Sequence, residues 1–244
     1  MIFLDTAVST NDRAIETGID REDPEGIVIV ADTQTHGRGR FGRDWISPPG
    51  LNLYFTVLLK PSILPREAQL MTMATAAAVA TAIRRNTGLR AEIKWPNDIM
   101  INNKKAGGIL TEMKTQGNAV SLLIAGVGIN VNMPLSALPE DIRGLATSLM
   151  IEKGGPVSRP ALLSEMLAEI ERSYKNLLKG NKRALINDWL GLNSTIGNNI
   201  RVRIQDRVIS GFAEGISDTG ELLIRLSSGE IEAVSAGEVT IMKE

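Results

Sequence analysis

The 244-residue sequence predicts an α+β fold in two parts: a larger domain built on a mostly antiparallel sheet, then a small β-barrel. Three observations carry that prediction. Between residues 91 and 132, apolar runs are joined by turns too tight for crossover connections, so their strands must be antiparallel. Long helical stretches at 66–86 and 158–180 lie to either side of those strands. After Gly191 the helical pattern stops, and short β runs follow at short intervals. The domains are therefore expected at 1–191 and 192–244.

The elements follow in order. "GIVIVAD" (26–32) is a continuous β-branched run that reads as a buried strand. "LNLYFTVLL" (51–59) is a second strand, entered through Pro48-Pro49-Gly50. Arg66 to Asn86, rich in Ala, Met and Leu, reads as a helix closed by Gly88, with Arg84 and Arg85 well placed against its C-terminal dipole. Its methionines read as core packing. "AEIKW" (91–95), "DIMI" (98–101), "KAGGILTEMK" (105–114) and "AVSLLIAGVGINVN" (119–132) are strands, with turns at Asn102-Asn103 and Gln116-Gly117-Asn118. "SRPALLSEMLAEIERSYKNLLKG" (158–180) has a Ser158 cap and Pro160 in its first turn, and 181–191 continues it as a shorter helix. The helices are expected on one face of the sheet. The tail turns at Gln205-Asp206, Asp218-Thr219-Gly220 and Ser227-Ser228-Gly229, which suits a barrel of SH3-like size.

Composition narrows the chemistry. There is no cysteine, which removes disulfides, thiolate metal sites and a cysteine nucleophile together. His36 is the only histidine, so histidine-based metal clusters and triads are disfavoured, and no metal site is expected in the protein itself. Lys and Arg number 27 against 28 Asp and Glu, so no general basic excess points to nucleic acid. No apolar run is long enough to span a bilayer, and "MIFLDTAVSTNDR" lacks a basic leader region. A cytoplasmic location is the resulting expectation.

Against that neutral background, "THGRGRFGRDWISPPG" (35–50) stands out. Gly37, Gly39 and Gly42 let backbone approach a ligand and leave peptide N–H groups open to an anion. Arg38, Arg40 and Arg43 add permanently charged forks suited to phosphate or carboxylate. Trp45 could close over a ring. Taken alone, the loop could equally be solvated surface. A second stretch, "KWPNDIMINNKKAGGIL" (94–110), puts Asn97 and Asp98 at a strand-to-strand corner and follows Lys105 with Ala106-Gly107-Gly108. A third, "AGVGIN" (125–130), again sets glycines inside a strand, where they weaken it unless something packs close. Three segments stripped of side chains point to one shared pocket.

The set "VSTN" (8–11), "QTHGRGRFGRDW" (34–45), "KWPND" (94–98), "KKAGGIL" (104–110) and "GVGIN" (126–130) resembles the biotin protein ligases. The tail, with "GISDTGELLI" and "AGEVTI", is similar to that family's C-terminal domain, so the resemblance covers essentially the whole chain. It implies a catalytic domain of the class II aminoacyl-tRNA synthetase-like type. It also implies a reaction in which biotin and ATP are substrates, Mg2+ arrives with ATP, and biotinyl-5′-AMP is the intermediate. Biotin then passes to a lysine of a biotin carboxyl carrier protein, or of the carrier domain of a biotin-dependent carboxylase or decarboxylase.

By that resemblance, Ser9, Thr10, Asn11 and Gln34 serve the biotin head, and Gly108 and Gly126 leave room for its bicycle. Gly37, Arg38, Gly39, Arg40 and Lys105 serve the carboxyl and phosphate end, with Arg38, Arg40 and Lys105 catalytic. Arg43, Trp45, Asn97 and Asn130 are nucleotide contacts shared with Arg38 and Arg40. Asp98 is a candidate base for the incoming amine, or else a group that orients Lys105. A homodimer is also implied. Many relatives carry an N-terminal winged helix-turn-helix, whereas "STN" here starts at Ser9, so ligase activity without operator binding is expected. A lipoate–protein ligase is the nearest alternative; octanoyltransferases of this fold need a cysteine that the sequence lacks. A nucleic-acid-binding module using Arg201, Arg203 and Arg207 is disfavoured by Glu214, Asp218, Glu221, Glu230, Glu232 and Glu238 around them.

Overall fold

The computed structural model describes residues 1–19 and 21–242. Seven strands form the first sheet: β1 (Ile2–Ala7), β2 (Val28–Gln34), β3 (Leu53–Leu59), β4 (Glu92–Lys94), β5 (Asp98–Ile101), β6 (Lys104–Gln116) and β7 (Ala119–Ile129). Their order is β1-β2-β3-β7-β6-β5-β4. Every pairing is antiparallel except β1 with β2, which is parallel. The tight turns of the sequence explain this. Asn102 and Asn103 both take positive φ (49° and 62°) to link β5 to β6, and Gly117 (φ 59°) links β6 to β7.

The five helices are α1 (Thr10–Ile19), α2 (Ala68–Thr87), α3 (Leu149–Lys153), α4 (Arg159–Leu178) and α5 (Lys182–Leu190). Helix α2 ends at Gly88 in the left-handed conformation, and Ser158 caps α4 by accepting from the Ala161 N–H. Thirteen of the 20 residues of α2 are buried, because it is covered by the sheet on one side and by α4 and α5 on the other. Alanine suits that position, since small side chains let three layers approach.

The expectation that the helices share one face is corrected by α1. Val28 and Val30 belong to the main core with α2, whereas Ile29 joins Ala14, Leu58, Leu122 and Ile124 in a second, smaller core beneath α1. Side chains alternate along a strand, so these two cores lie on opposite faces of the sheet. Near the N-terminus the sequence shows no clear strand, because Ile2, Phe3 and Leu4 are consecutive apolar residues that blur the period of two. In the fold, Phe3 is exposed and its neighbours are half-buried.

The second sheet contains β8 (Asn199–Ile204), β9 (Arg207–Ile216), β10 (Leu222–Arg225), β11 (Ile231–Val234) and β12 (Glu238–Ile241), in the order β11-β10-β9-β8-β12 and antiparallel throughout. This is the expected α+β fold with a small SH3-like β domain. Its interior residues Val202, Ala213, Leu222 and Ile224 are continuous with the main core of the first domain. The connection is stitched down as well. Leu192 carbonyl accepts from the Ile93 N–H, and Thr195 Oγ1 accepts from the Trp95 N–H at 2.9 Å. Trp95, buried, donates its indole N–H to the Gly220 carbonyl at 3.2 Å, so the second domain rests on the corner that carries Asn97 and Asp98. Among the described residues, no helix is long and apolar enough to cross a membrane.

Candidate active site

The strand ends β2, β4, β5, β6 and β7, the N-terminus of α1 and β12 together enclose a cleft of about 470 Å3. That is within the range of small-molecule sites. Every residue given a site role by the resemblance lines it except Gly37, which lies behind the loop; Gly42, Ala106 and Gly107 also lie outside the lining.

One end is neutral. Ser9 precedes α1, and its Oγ accepts from the Asn11 N–H at 3.3 Å. Gln34, at the end of β2, accepts through Oε1 from the Thr10 N–H at 2.8 Å and donates through Nε2 to Ser47 Oγ at 3.0 Å. Thr56, buried in the middle of β3, lies 2.7 Å from Asn11 Oδ1 and 2.9 Å from Thr10 Oγ1. These contacts among Ser9, Thr10, Gln34 and Thr56 are between neutral groups; the charged contact at this end is from Asn11 Nδ2 to the Glu112 carboxylate at 2.6 Å. Gly126 has a role more specific than open space, because a Cβ there would lie 2.1 Å from Asn11 Oδ1. Its missing side chain makes room for the asparagine. Gly108 is different: a Cβ would make only ordinary contacts, with the end of Lys105 from 3.5 Å and the Asn97 carbonyl oxygen at 3.9 Å.

The Arg/Gly loop is a folded element. Its limbs are joined by the Gly39 N–H to Arg43 carbonyl bond at 2.7 Å and the Trp45 N–H to Gly37 carbonyl bond at 2.8 Å. Gly37 is required by close approach, since a Cβ would sit 2.4 Å from the Trp45 carbonyl oxygen. At the tip, Arg40 to Gly42 make a turn of 3-10 helix with Phe41 at φ 58°. Trp45 packs its indole over Gly128, and its buried Nε1 has no hydrogen-bond partner among the described residues.

The other end of the cleft is charged, and its cations other than Arg40 are already in ion pairs. Lys105 Nζ lies 2.5 Å from Asp98 Oδ1 and 5.6 Å from the centre of the Trp45 ring. Lys94 Nζ lies 3.7 Å from the other Asp98 oxygen. Arg40 donates to Asn97 Oδ1 at 2.9 Å and to the Gly237 carbonyl at 3.4 Å, while Asn97 Nδ2 donates to the Ile109 carbonyl at 2.7 Å. Burial lowers the Arg40 pKa from its ordinary guanidinium value, against the raising influence of Asp98 and Glu238, and Arg43 lowers it further. An arginine starts so high that it remains a cation. Arg43 pairs with Glu238 of β12. Asn130 is buried and donates to the Thr147 carbonyl at 3.0 Å, which fixes its amide at the cleft wall.

Some lining residues were not singled out in the sequence. Met133, Leu138, Ile142 and Leu145 form an apolar wall from the segment after β7, and residues 237–240 of the second domain close the charged end. Lys94 joins Lys105 on Asp98. Only Lys94 left a signal, as a lysine at a strand end beside the Asn97-Asp98 corner. The apolar wall comes from a loop without periodicity, and the C-terminal segment enters through tertiary packing.

With the cleft described, similarity to known proteins becomes informative. The family model for the biotin/lipoate A/B protein ligases matches residues 6–130, and that for the biotin protein ligase C-terminal domain matches 195–242. The chain is 35% identical over 236 residues to the bifunctional ligase/repressor BirA of Bacillus subtilis, covering 97% of this chain and 72% of that protein. It is 30% identical over 246 residues to the biotin–[acetyl-CoA-carboxylase] ligase of Mycobacterium tuberculosis, covering 96% of this chain and 86% of the relative. In structure it is similar to the biotin protein ligase of Aquifex aeolicus solved in complex with biotin and ATP. The TM-score is 0.83 and the identity 29%, with 100% of this chain and 98% of that one covered. The chain belongs to the biotin/lipoate A/B protein ligase family and carries the biotin protein ligase C-terminal domain behind its catalytic sheet.

Proposed function

We propose that the cleft joins the carboxylate of biotin to the α-phosphate of ATP and then delivers the biotinyl group to a carrier lysine. The chain is a ligase of the biotin protein ligase type. The observation that carries the division of labour is the split within the cleft: a neutral hydrogen-bonded end at Thr10, Asn11 and Gln34, and a cationic end at Lys105, Arg40 and Arg43. A ureido ring is neutral and needs both donors and acceptors, which the amides of Asn11 and Gln34 carry at this end of the cleft. Gly108 leaves space beside Lys105 for the chain that leads to the carboxylate.

In the first step a biotin carboxylate oxygen attacks the α-phosphorus, the bond to the β-phosphate breaks, and pyrophosphate leaves with the electron pair. Two anions approach each other there, so Lys105, Arg38 and Arg40 offset their repulsion and stabilise charge in the transition state. In the second step the carrier amine attacks the biotinyl carbonyl, AMP departs, and the amine loses a proton. Asp98 holds a lysine on each oxygen, which supports a role in orienting Lys105 over one as a free base. Trp45, Asn97, Asn130 and the apolar wall of Met133 and Leu145 would receive the nucleotide, with Arg43 near its phosphates.

Magnesium would enter on ATP's own phosphate oxygens, which together with water satisfy its preferred coordination. The carrier is proposed to be a biotin carboxyl carrier protein or domain. A homodimer in the cytoplasm is also proposed, with no nucleic-acid partner, in keeping with a net charge of −1. A thermal-shift comparison separates this reading from that of a lipoate ligase: biotin should raise the melting temperature, and lipoate should not. Stabilisation by lipoate alone would reverse the assignment.

A further inference from the structure

Arg38 is held by two carboxylates that the sequence motifs do not include. Its Nη2 lies 2.6 Å from Asp12 Oδ1 on α1 and 3.0 Å from Glu112 Oε2 on β6. The same Glu112 oxygen accepts from Asn11 Nδ2 at 2.6 Å. Asn11 Nδ2 also donates to the Leu110 carbonyl at 3.3 Å, while its Oδ1 accepts from Thr56 Oγ1. Turning the Asn11 amide over would set its carbonyl oxygen against the Glu112 carboxylate and the Leu110 carbonyl, so Glu112, the nearer of the two, helps fix which way that amide faces. Both carboxylates meet Arg38 at one nitrogen, and no described residue accepts a hydrogen bond from its Nε or Nη1.

We propose that Glu112 is a positioning residue that joins the two ends of the cleft, one carboxylate oxygen setting both the Asn11 amide and the Arg38 guanidinium. This rests on the biotin-ligase reading, in which Asn11 faces the ureido head and Arg38 the reacting anions. The Asn11 bond needs only an acceptor, whereas the Arg38 bond needs a charge. A third of the Glu112 side chain is exposed, with 30% of its surface accessible, so its exchange leaves no buried cavity. Asp12 shares the guanidinium but makes no hydrogen bond to the Asn11 side chain, so Glu112 is the carboxylate that bonds both side chains.

That asymmetry gives the test. Glu112→Gln keeps an acceptor for Asn11 and removes the charge from Arg38; Glu112→Ala removes both. Biotin affinity is measured by calorimetry without ATP, and kcat by pyrophosphate release with biotin and ATP. Glu112→Gln should hold biotin within about twofold of the parent while kcat falls about tenfold, and Glu112→Ala should lose about tenfold in each. Parental kcat in Glu112→Gln overturns the proposal, as does an equal loss of affinity and kcat in both variants that follows their melting temperatures. If the parent chain itself releases no pyrophosphate with biotin, the ligase reading fails first. If it does and the split is missing, only the role of Glu112 fails.

Discussion

The two ends of the cleft are ordered in different ways. At the neutral end, Thr10, Asn11, Gln34 and Thr56 are held by hydrogen bonds among uncharged groups, with the Glu112 carboxylate as the one charged acceptor, on Asn11 Nδ2. At the charged end, Lys105 is bound to Asp98, Arg43 to Glu238 and Arg38 to Asp12 and Glu112. Asp98 and Glu238 occupy cations that an anionic substrate would need, whereas Asp12 and Glu112 hold one nitrogen of Arg38 and leave its Nε and Nη1 without an acceptor among the described residues. The neutral end is thus suited to act as a template, and the Lys105 and Arg43 pairs to exchange partners. Because the pairs are partly solvated, exchange is inexpensive, which suits a site that binds ATP, releases pyrophosphate and later releases AMP.

Breaking the charged end should have the largest effect. Lys105→Ala is expected to lower adenylate formation by about 100- to 1000-fold, the scale for removing one donor from developing charge. The melting temperature should change little, since Lys105 is partly exposed and leaves no cavity. Steady-state kinetics beside a melting curve reads both.

Gly126→Ala tests the template. Its Cβ would stand 2.1 Å from Asn11 Oδ1, so the amide must move. Biotin affinity by calorimetry is expected to fall about tenfold, the cost of misdirecting buried hydrogen bonds. The KM for ATP should stay near that of the parent, which separates the two ends.

A smaller effect is expected from Glu238→Gln, which releases Arg43 from the second domain. Arg43 is two-thirds exposed, with 68% of its side chain accessible, so the KM for ATP should change by only about two- to threefold. The smallest concerns a pair outside the cleft. A hydrogen bond from Lys182, helped by the Leu64 N–H, holds the Glu67 pKa below its ordinary value. A lowered carboxylate pKa stabilises the fold above the ordinary carboxylate range, and that contribution disappears as pH falls through the folded value. Glu67→Gln should thus cost about 1 kcal/mol or less at neutral pH and almost nothing in strong acid, as denaturant melts at both pH values will show.

Much of this was legible before the fold was seen, and for physical reasons. The strands from 91 to 132 were readable because asparagine and glycine turns leave no other connection. The helices at α2 and α4 were readable because Gly88 and Ser158 mark their ends. The cleft was foreshadowed by the glycines of β7, since Gly126 and Gly128 are required by the close approach of Asn11 and Trp45, whereas Gly108 in β6 has only ordinary contacts. What escaped depended on tertiary placement. Glu112 sits in β6 like any outward-facing glutamate, and only the fold brings it to Asn11, 101 residues away in sequence. The parallel strand β1 lacked a clean alternation, and α1 went unassigned with it. The apolar wall around Leu145 has no pattern of its own, and Glu238 reaches Arg43 only because the second domain shares the main core.

The central claim is that the cleft joins a biotin carboxylate to the α-phosphate of ATP. Incubating the chain with biotin, magnesium and ATP labelled at the α-phosphate tests it most directly. The expected result is labelled biotinyl-5′-AMP, discharged to labelled AMP when a carrier domain is added, with the rate of adenylate formation by Lys105→Ala lower by about 100- to 1000-fold. Adenylate formation that is undiminished in Lys105→Ala, or that needs lipoate in place of biotin, would contradict it.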